Sequence, residues 1–194
     1  MSSTEAQTSS AAAKAVLPPP RNGGAALADV VLRFLLFASC LVSVLVMVTS
    51  QQEQLIPISF PPYLITQEAK FKHSPAFVYF VIALSVAGIY AIITTLVSFF
   101  ALFKPGCYHK LVSHFVIFDV LFLGIMAAAT GAAGAVAYIG LRGNNHVQWR
   151  KICDLYDNFC KHIGSSIAIS LIGSVVLTLL VILSIRSLSK RIPN

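Results

Sequence analysis

Four long apolar runs, separated by short polar stretches, decide what this chain can fold into. The first reads "LADVVLRFLLFASCLVSVLVMV", and three more follow, so that the runs occupy about 29–49, 76–102, 113–139 and 163–185. A helix rises 1.5 Å per residue, so about twenty apolar residues cross a hydrocarbon core of ~30 Å. Each run meets that length. Lipid offers no water to an exposed peptide group, so a spanning segment is a helix or a strand of a closed barrel. None of the runs alternates apolar and polar residues over ten-residue units, as barrel strands do. The expected fold is therefore an all-α membrane protein, a four-transmembrane-helix bundle. Composition agrees: 11% of the 194 residues are charged and the mean hydropathy is +0.81, whereas soluble domains carry about 25% charged residues.

Outside the runs the chain divides simply. Residues 1–27 are rich in Ala, Ser and Thr, with a Pro triplet and a Gly pair. They offer no apolar stripe to repay ordering and are expected to be a disordered tail. The first apolar run is long and is followed by "TSQQEQ" instead of small residues, so the tail is expected to stay attached. Residues 28–188 then form the membrane domain and 189–194 a short end. The net charge of +7 is scattered among loops and ends. No basic run is interleaved with aromatics, so nucleic acid is not an expected partner; lipid headgroups are.

Four crossings put both termini on one side. That side carries Lys14, Arg21, Lys104, Lys110, Arg186, Lys190 and Arg191; the other carries Lys70, Lys72, Arg142, Arg150, Lys151 and Lys161. Seven against six decides little under the positive-inside rule. The cysteines say more. Cys153 and Cys160 share the loop "RGNNHVQWRKICDLYDNFCKHIG", while Cys107 stands alone in the turn "KPGCYHK" and Cys40 lies in the first run. Paired cysteines favour an oxidising space and a lone one a reducing space. We therefore expect cytosolic termini and an exoplasmic loop closed by Cys153 and Cys160. Free thiols, or a metal site with His146 and His162, are the other readings, but the spacings are not those of ordinary zinc sites. Trp149, Tyr156 and Phe159 suit the headgroup level. Cys107, between Lys104 and Lys110, is a candidate for acylation or an idle thiol.

Asp29 stands at the edge of the first run, while two charged residues stand well inside the runs, Arg33 and Asp119. Counted from the expected cytosolic edge, both lie roughly 8–9 Å deep, so opposite charges can meet. A charge in lipid is costly and usually faces a partner in the bundle. Asp119 shares its face with Met126, Thr130, Ala133 and Ala137, a mostly small surface suited to an interior. Arg33 has alternatives, snorkelling to the headgroups or pairing with Asp29 one turn earlier. Small residues recur every four positions on the third run, as Gly124, Ala128 and Ala132 and as Ala127, Gly131 and Ala135; the fourth run offers Gly173. Such rows let helices approach closely in lipid, either within one bundle or between copies.

The chemistry of an enzyme is missing from these residues. No nucleophile and base, and no metal-ligand cluster, share a depth, so neither catalysis, a cofactor nor a metal is expected. A small channel or transporter using Arg33 and Asp119 is the alternative to a non-catalytic scaffold. It would want broken helices or charges near the midplane, which these runs lack.

Taken together, Arg in the first run, Asp in the third, "AKFKHSPAFVYFV", "GAAGAVAYIGLRGN" and the Trp, Ile-Cys and Phe-Cys series before the fourth run resemble the plant Casparian strip membrane domain protein-like family, related to the MARVEL tetraspan group. The resemblance covers about residues 28–188. It implies a plasma-membrane protein with cytosolic termini that forms platforms from like or related four-helix chains. In founding members such platforms organise cell-wall modification. Arg33 and Asp119 then match the family's intramembrane charges, and Cys153 and Cys160 its loop cysteines. The loop "QQEQLIPISFPPYLITQEAKFKHS" lacks the "ESLPFFTQF"-like stretch of strip-forming members, so the resemblance points to a like-protein of the wider family.

Overall fold

A computed structural model describes residues 23–57, 64–103, 108–144 and 146–189. Four long helices carry the fold: α1 Gly23–Val48, α2 Pro75–Phe103, α3 Tyr108–Arg142 and α4 Asp157–Ser189. Each contains a stretch long and apolar enough to cross a membrane. Between α1 and α2 lies an antiparallel hairpin of β1 Gln51–Pro57 and β2 Leu64–Lys70, in a register that pairs Gln51 with Lys70 and Pro57 with Leu64. A single 3₁₀ turn, Phe71–His73, leads into α2.

The helix ends follow local chemistry. Pro75 opens α2 at a position where the backbone needs no N–H, and the carbonyl of Ser74 accepts from Phe77 and Val78 at 3.1 Å. Asp157 places a carboxylate in the first turn of α4, favourable against the helix dipole, and pairs with Lys161 at 2.6 Å. A further N-terminal donor of α4, the Phe159 N–H, is taken up by Gln52 Oε1 of β1 at 3.0 Å. This side-chain cap from the hairpin satisfies a group the helix cannot satisfy itself. It also places the hairpin and the cysteine loop on the same side of the bundle. At the end of α3, Gly143 takes φ +66°, the left-handed conformation that glycine adopts without penalty. A Cβ there would stand 2.7 Å from the Trp149 carbonyl oxygen.

α1 packs between α2 and α4, and α3 completes the ring against the same two helices. Thus α1 and α3 face each other across the diagonal. Two apolar clusters fill the interior. One, on the hairpin side, gathers Met47, Phe71, Phe80, Leu84, Phe159 and Ile163; the other, farther along the bundle, gathers Leu36, Ala91, Met126, Leu177 and Leu180. Phe34, Ile89, Ile117 and Ile172 point outward, as expected where lipid is the solvent.

Several expectations change. Residues 23–27, assigned to the tail, begin α1, and α3 and α4 both extend beyond their apolar runs. At the end of α3 and the start of α4 the caps just described satisfy the backbone groups beyond the apolar runs. Tyr156 and Phe159, expected at the headgroups, are instead buried in the hairpin-side cluster. Of those aromatics Trp149 is the exposed one, at 57%. Cys107 and most of the expected tail lie outside the described residues.

Candidate functional site

The first run holds Asp29 and Arg33 one turn apart, so both side chains leave α1 on one face. That face points into the bundle: Arg33 is 1% exposed and Asp29 4%. Across the diagonal, α3 presents Asp119, which is 0% exposed. Arg33 reaches it with a forked contact, Nη1 to Oδ1 at 3.4 Å and Nη2 to Oδ2 at 3.2 Å. The remaining guanidinium donor, Nε, goes to Asp29 Oδ2 at 3.3 Å. The two partners that the sequence offered Arg33 as alternatives are therefore both engaged. One planar guanidinium, with donors in a fixed fork, can serve two carboxylates at once.

The second helix completes the cluster. Tyr90 donates its hydroxyl to Asp119 Oδ1 at 2.6 Å, and Ser98 donates to Asp29 Oδ2 at 3.0 Å. Tyr90 is held by stacking on Phe122, with ring centroids 4.4 Å apart. The Arg33 guanidinium lies 5.4 Å from the centre of the Phe115 ring, a cation–π contact that needs no water. Sequence reading missed Tyr90 and Ser98, because α2 reads as an unbroken apolar run. The available clue was Tyr90 itself, since a phenol buried in hydrocarbon needs a hydrogen-bond partner.

Hydroxyls tie the other helices. Ser43 of α1 and Ser166 of α4 each donate to the other's backbone carbonyl, at 2.8 and 2.7 Å. Thr130 of α3 and Ser170 of α4 meet at 3.1 Å. Buried polar groups are thus satisfied between helices at successive levels, which lipid demands. The cluster has the form of a closed clasp: its carboxylates are occupied by donors and sealed from the surface.

The small-residue rows separate. Gly124, Ala127, Ala128, Gly131, Ala132 and Ala135 are all exposed on the outside of α3, and a Cβ added at Gly124 or Gly131 would meet nothing within 4 Å. Gly173 belongs inside: a Cβ there would stand 2.8 Å from Ser39 Oγ of α1. Its role in the bundle is to let α4 approach α1. Met126, Thr130 and Ala133, on the Asp119 face, are buried.

At the hairpin side, Cys153 and Cys160 form a disulfide with Cα atoms 5.7 Å apart. The loop is further stitched to α3 by the N–H groups of Ile152 and Cys153, which donate to the Gly140 carbonyl at 2.8 and 3.2 Å. With both sulfurs in the disulfide, neither Cys153 nor Cys160 offers a thiolate to a metal ion. His146 and His162 are exposed, and the His162 ring binds the Asn158 carbonyl at 2.7 Å.

Four membrane-crossing helices around a buried ion cluster, capped by a disulfide-closed loop, define a tetraspan membrane protein. Residues 22–176 match the Casparian strip membrane protein domain, and the chain belongs to that family. It is 62% identical to CASP-like protein 1 of Panax ginseng over 148 residues, 76% of this chain and 100% of that one. CASP-like protein 1D1 of Vitis vinifera is 56% identical over 84% of this chain and 79% of its own. CASP-like protein IN26 of Ipomoea nil is also 56% identical, over 86% and 87%. No solved structure matches the chain.

Proposed function

We propose that this protein is a non-catalytic scaffold of the plasma membrane, with cytosolic termini. In this reading it associates laterally with copies of itself and with related four-helix chains, and the platform recruits cell-wall-modifying proteins at its outer face. The observation that carries the reading is the outward surface of α3. Gly124, Ala128, Gly131 and Ala135 leave it smooth and exposed, whereas most outward residues of the other helices are bulky. Hydrophobic burial offers little between helices already in lipid, so close backbone approach over small residues is the main source of association. Membership of a family of Casparian strip membrane proteins supports the platform reading. The sealed clasp supports a structural use for the intramembrane charges over transport, since transport wants charged groups that meet a pathway.

The test is to reconstitute the full chain in bilayers at near-native density and count subunits by stepwise photobleaching. Gly131→Leu, which adds bulk outward, should lower the mean subunit number while leaving the fold intact. Gly173→Leu should instead weaken the fold through its clash at Ser39. A wild type that diffuses as a monomer, or a Gly131→Leu variant that assembles like it, defeats the proposal. Ion flux through liposomes containing only this protein would favour the channel reading.

A further inference from the structure

α3 and α4 touch at Thr130 and Ser170, and a recess lies between them nearer the hairpin side. There they enclose a groove of about 310 Å³, walled by Gly134 and Leu141 of α3 and by Ile163 and Gly164 of α4, beside the Cys153–Cys160 disulfide. Its volume is at the lower end of the range for small-molecule pockets, roughly 300–1,000 Å³. Two glycines make the space: a Cβ at Gly134 or at Gly164 would meet nothing within 4 Å. Gly164 is exposed, so the groove opens on the lipid-facing flank. From Leu141 to Gly134 it runs about 10 Å along the helix, the length of an acyl-chain segment. Hydrocarbon, not water, is what such an apolar recess meets in a bilayer.

The rim is basic. Arg142 follows the lining residue Leu141, and Arg150 and Lys151 precede the lining residue Ile152. Lys151 packs beside Gly143, with its Cγ 3.3 Å from where a Cβ would stand, so it lies next to the chain that leaves Arg142. All three bases are exposed, and none has an ion pair among the described residues. Nearby, Asp157 is occupied by Lys161 at 2.6 Å, which leaves Asp154 as the neighbouring acid. An apolar slot with three exposed bases adjoining its loop end matches an anionic amphiphile in both parts.

We propose that this groove binds one chain of a membrane lipid with an anionic phosphate headgroup, held at the rim by Arg142, Arg150 and Lys151. The inference rests only on the four helices crossing a bilayer and is independent of self-association. The test places the full chain in phosphatidylcholine vesicles with traces of spin-labelled phosphatidylglycerol or spin-labelled phosphatidylcholine. The motionally restricted fraction of each lipid is then read. An excess of restricted phosphatidylglycerol is expected, unchanged by added inorganic phosphate. Gly164→Leu should remove the excess by filling the slot, and Gly134→Leu serves as a second filling variant if the first does not fold. Replacing Arg142, Arg150 and Lys151 by Gln should bring the restricted fraction of phosphatidylglycerol down to that of phosphatidylcholine. These three side chains lie outside the bundle, so this variant reads the headgroup contact even if both filling variants misfold. Equal restriction of the two lipids, a preference that survives filling or charge removal, competition by free phosphate, or a second copy crosslinked into the groove would each overturn the proposal.

Discussion

Replacing Asp119 by Asn tests whether the cluster holds the bundle together. In the wild type, Asp119 receives two guanidinium donors from Arg33 and the Tyr90 hydroxyl. Asn keeps an acceptor for Tyr90 but turns an amide donor toward Arg33 Nη2, so donor faces donor. Breaking a buried pair by removing one partner costs ~3–5 kcal/mol. Asp29 still touches Arg33 at 3.3 Å, so the lower end, about 3 kcal/mol, is expected for Asp119→Asn. Arg33→Met should lose more, about 4–5 kcal/mol, because it strands Asp29 and Asp119 together. The double variant has no stranded guanidinium, so its loss should fall short of the sum by about 1–3 kcal/mol. Tyr90→Phe, which removes one donor to a carboxylate, should cost about 1.5–3 kcal/mol. Reversible unfolding in bicelles measures all four. Single losses that add to the double within about 0.5 kcal/mol would show that Arg33 and Asp119 act independently, and the clasp would be wrong. A simple charge swap is a poor rescue here: an Asp at 33 would sit one turn from Asp29 and repel it.

Two further outcomes concern the loop. Non-reducing peptide mass spectrometry of the membrane-extracted protein should find Cys153 joined to Cys160, and Cys153→Ser with Cys160→Ser should destabilise the loop by roughly 2–3 kcal/mol; two free thiols would remove the cap. Gly143→Ala should cost about 1–2 kcal/mol for the left-handed backbone, with more from the contact at the Trp149 carbonyl. Faster hydrogen exchange at Asn144 and Trp149, whose N–H groups bond each other's carbonyls at 3.0 Å, reports that loss.

The helices were legible because lipid imposes one rule, internal satisfaction of the backbone, and length alone then reveals each span. The charged pair was legible for the same reason: Arg33 and Asp119 are rare residues in such runs. The rest depends on what meets across space. Strand pairing of "QQEQLIP" with "LITQEAK" carries little apolar alternation, and the cap from Gln52 to α4 joins residues 107 positions apart. Tyr90 looked like one more aromatic in an apolar helix until Asp119 was placed beside it. The burial of Tyr156 and Phe159 likewise follows from the loop folding back over the bundle, where the Ile152 and Cys153 N–H groups meet the Gly140 carbonyl. A preference for the headgroup level describes an aromatic ring in isolation and gives no account of such a fold-back.

The small-residue rows show how the cluster and the outer surface are linked. Successive residues on a helix turn by about 100°. Taking Asp119 as the inward direction, Met126, Thr130, Ala133 and Ala137 fall within about 40° of it, while Gly124, Ala128, Gly131 and Ala135 fall about 120–180° away. Burial follows that division: the first set is buried or half-buried and the second exposed. Asp119 is one of two polar contacts that fix the rotation of α3, the other being Thr130 with Ser170 of α4 at 3.1 Å, and it is the one that carries charge. A buried ion pair is weak as a source of stability but strong as a means of specifying register. Anchoring Asp119 to Arg33 and Tyr90 therefore turns the glycine and alanine face outward, away from the bundle's own neighbours. On this account the clasp sets the orientation of the surface proposed above for self-association. If the proposed self-association holds, Asp119→Asn should then reduce it as well as stability, although Asp119 lies on the opposite side of α3 from Gly124 and Gly131.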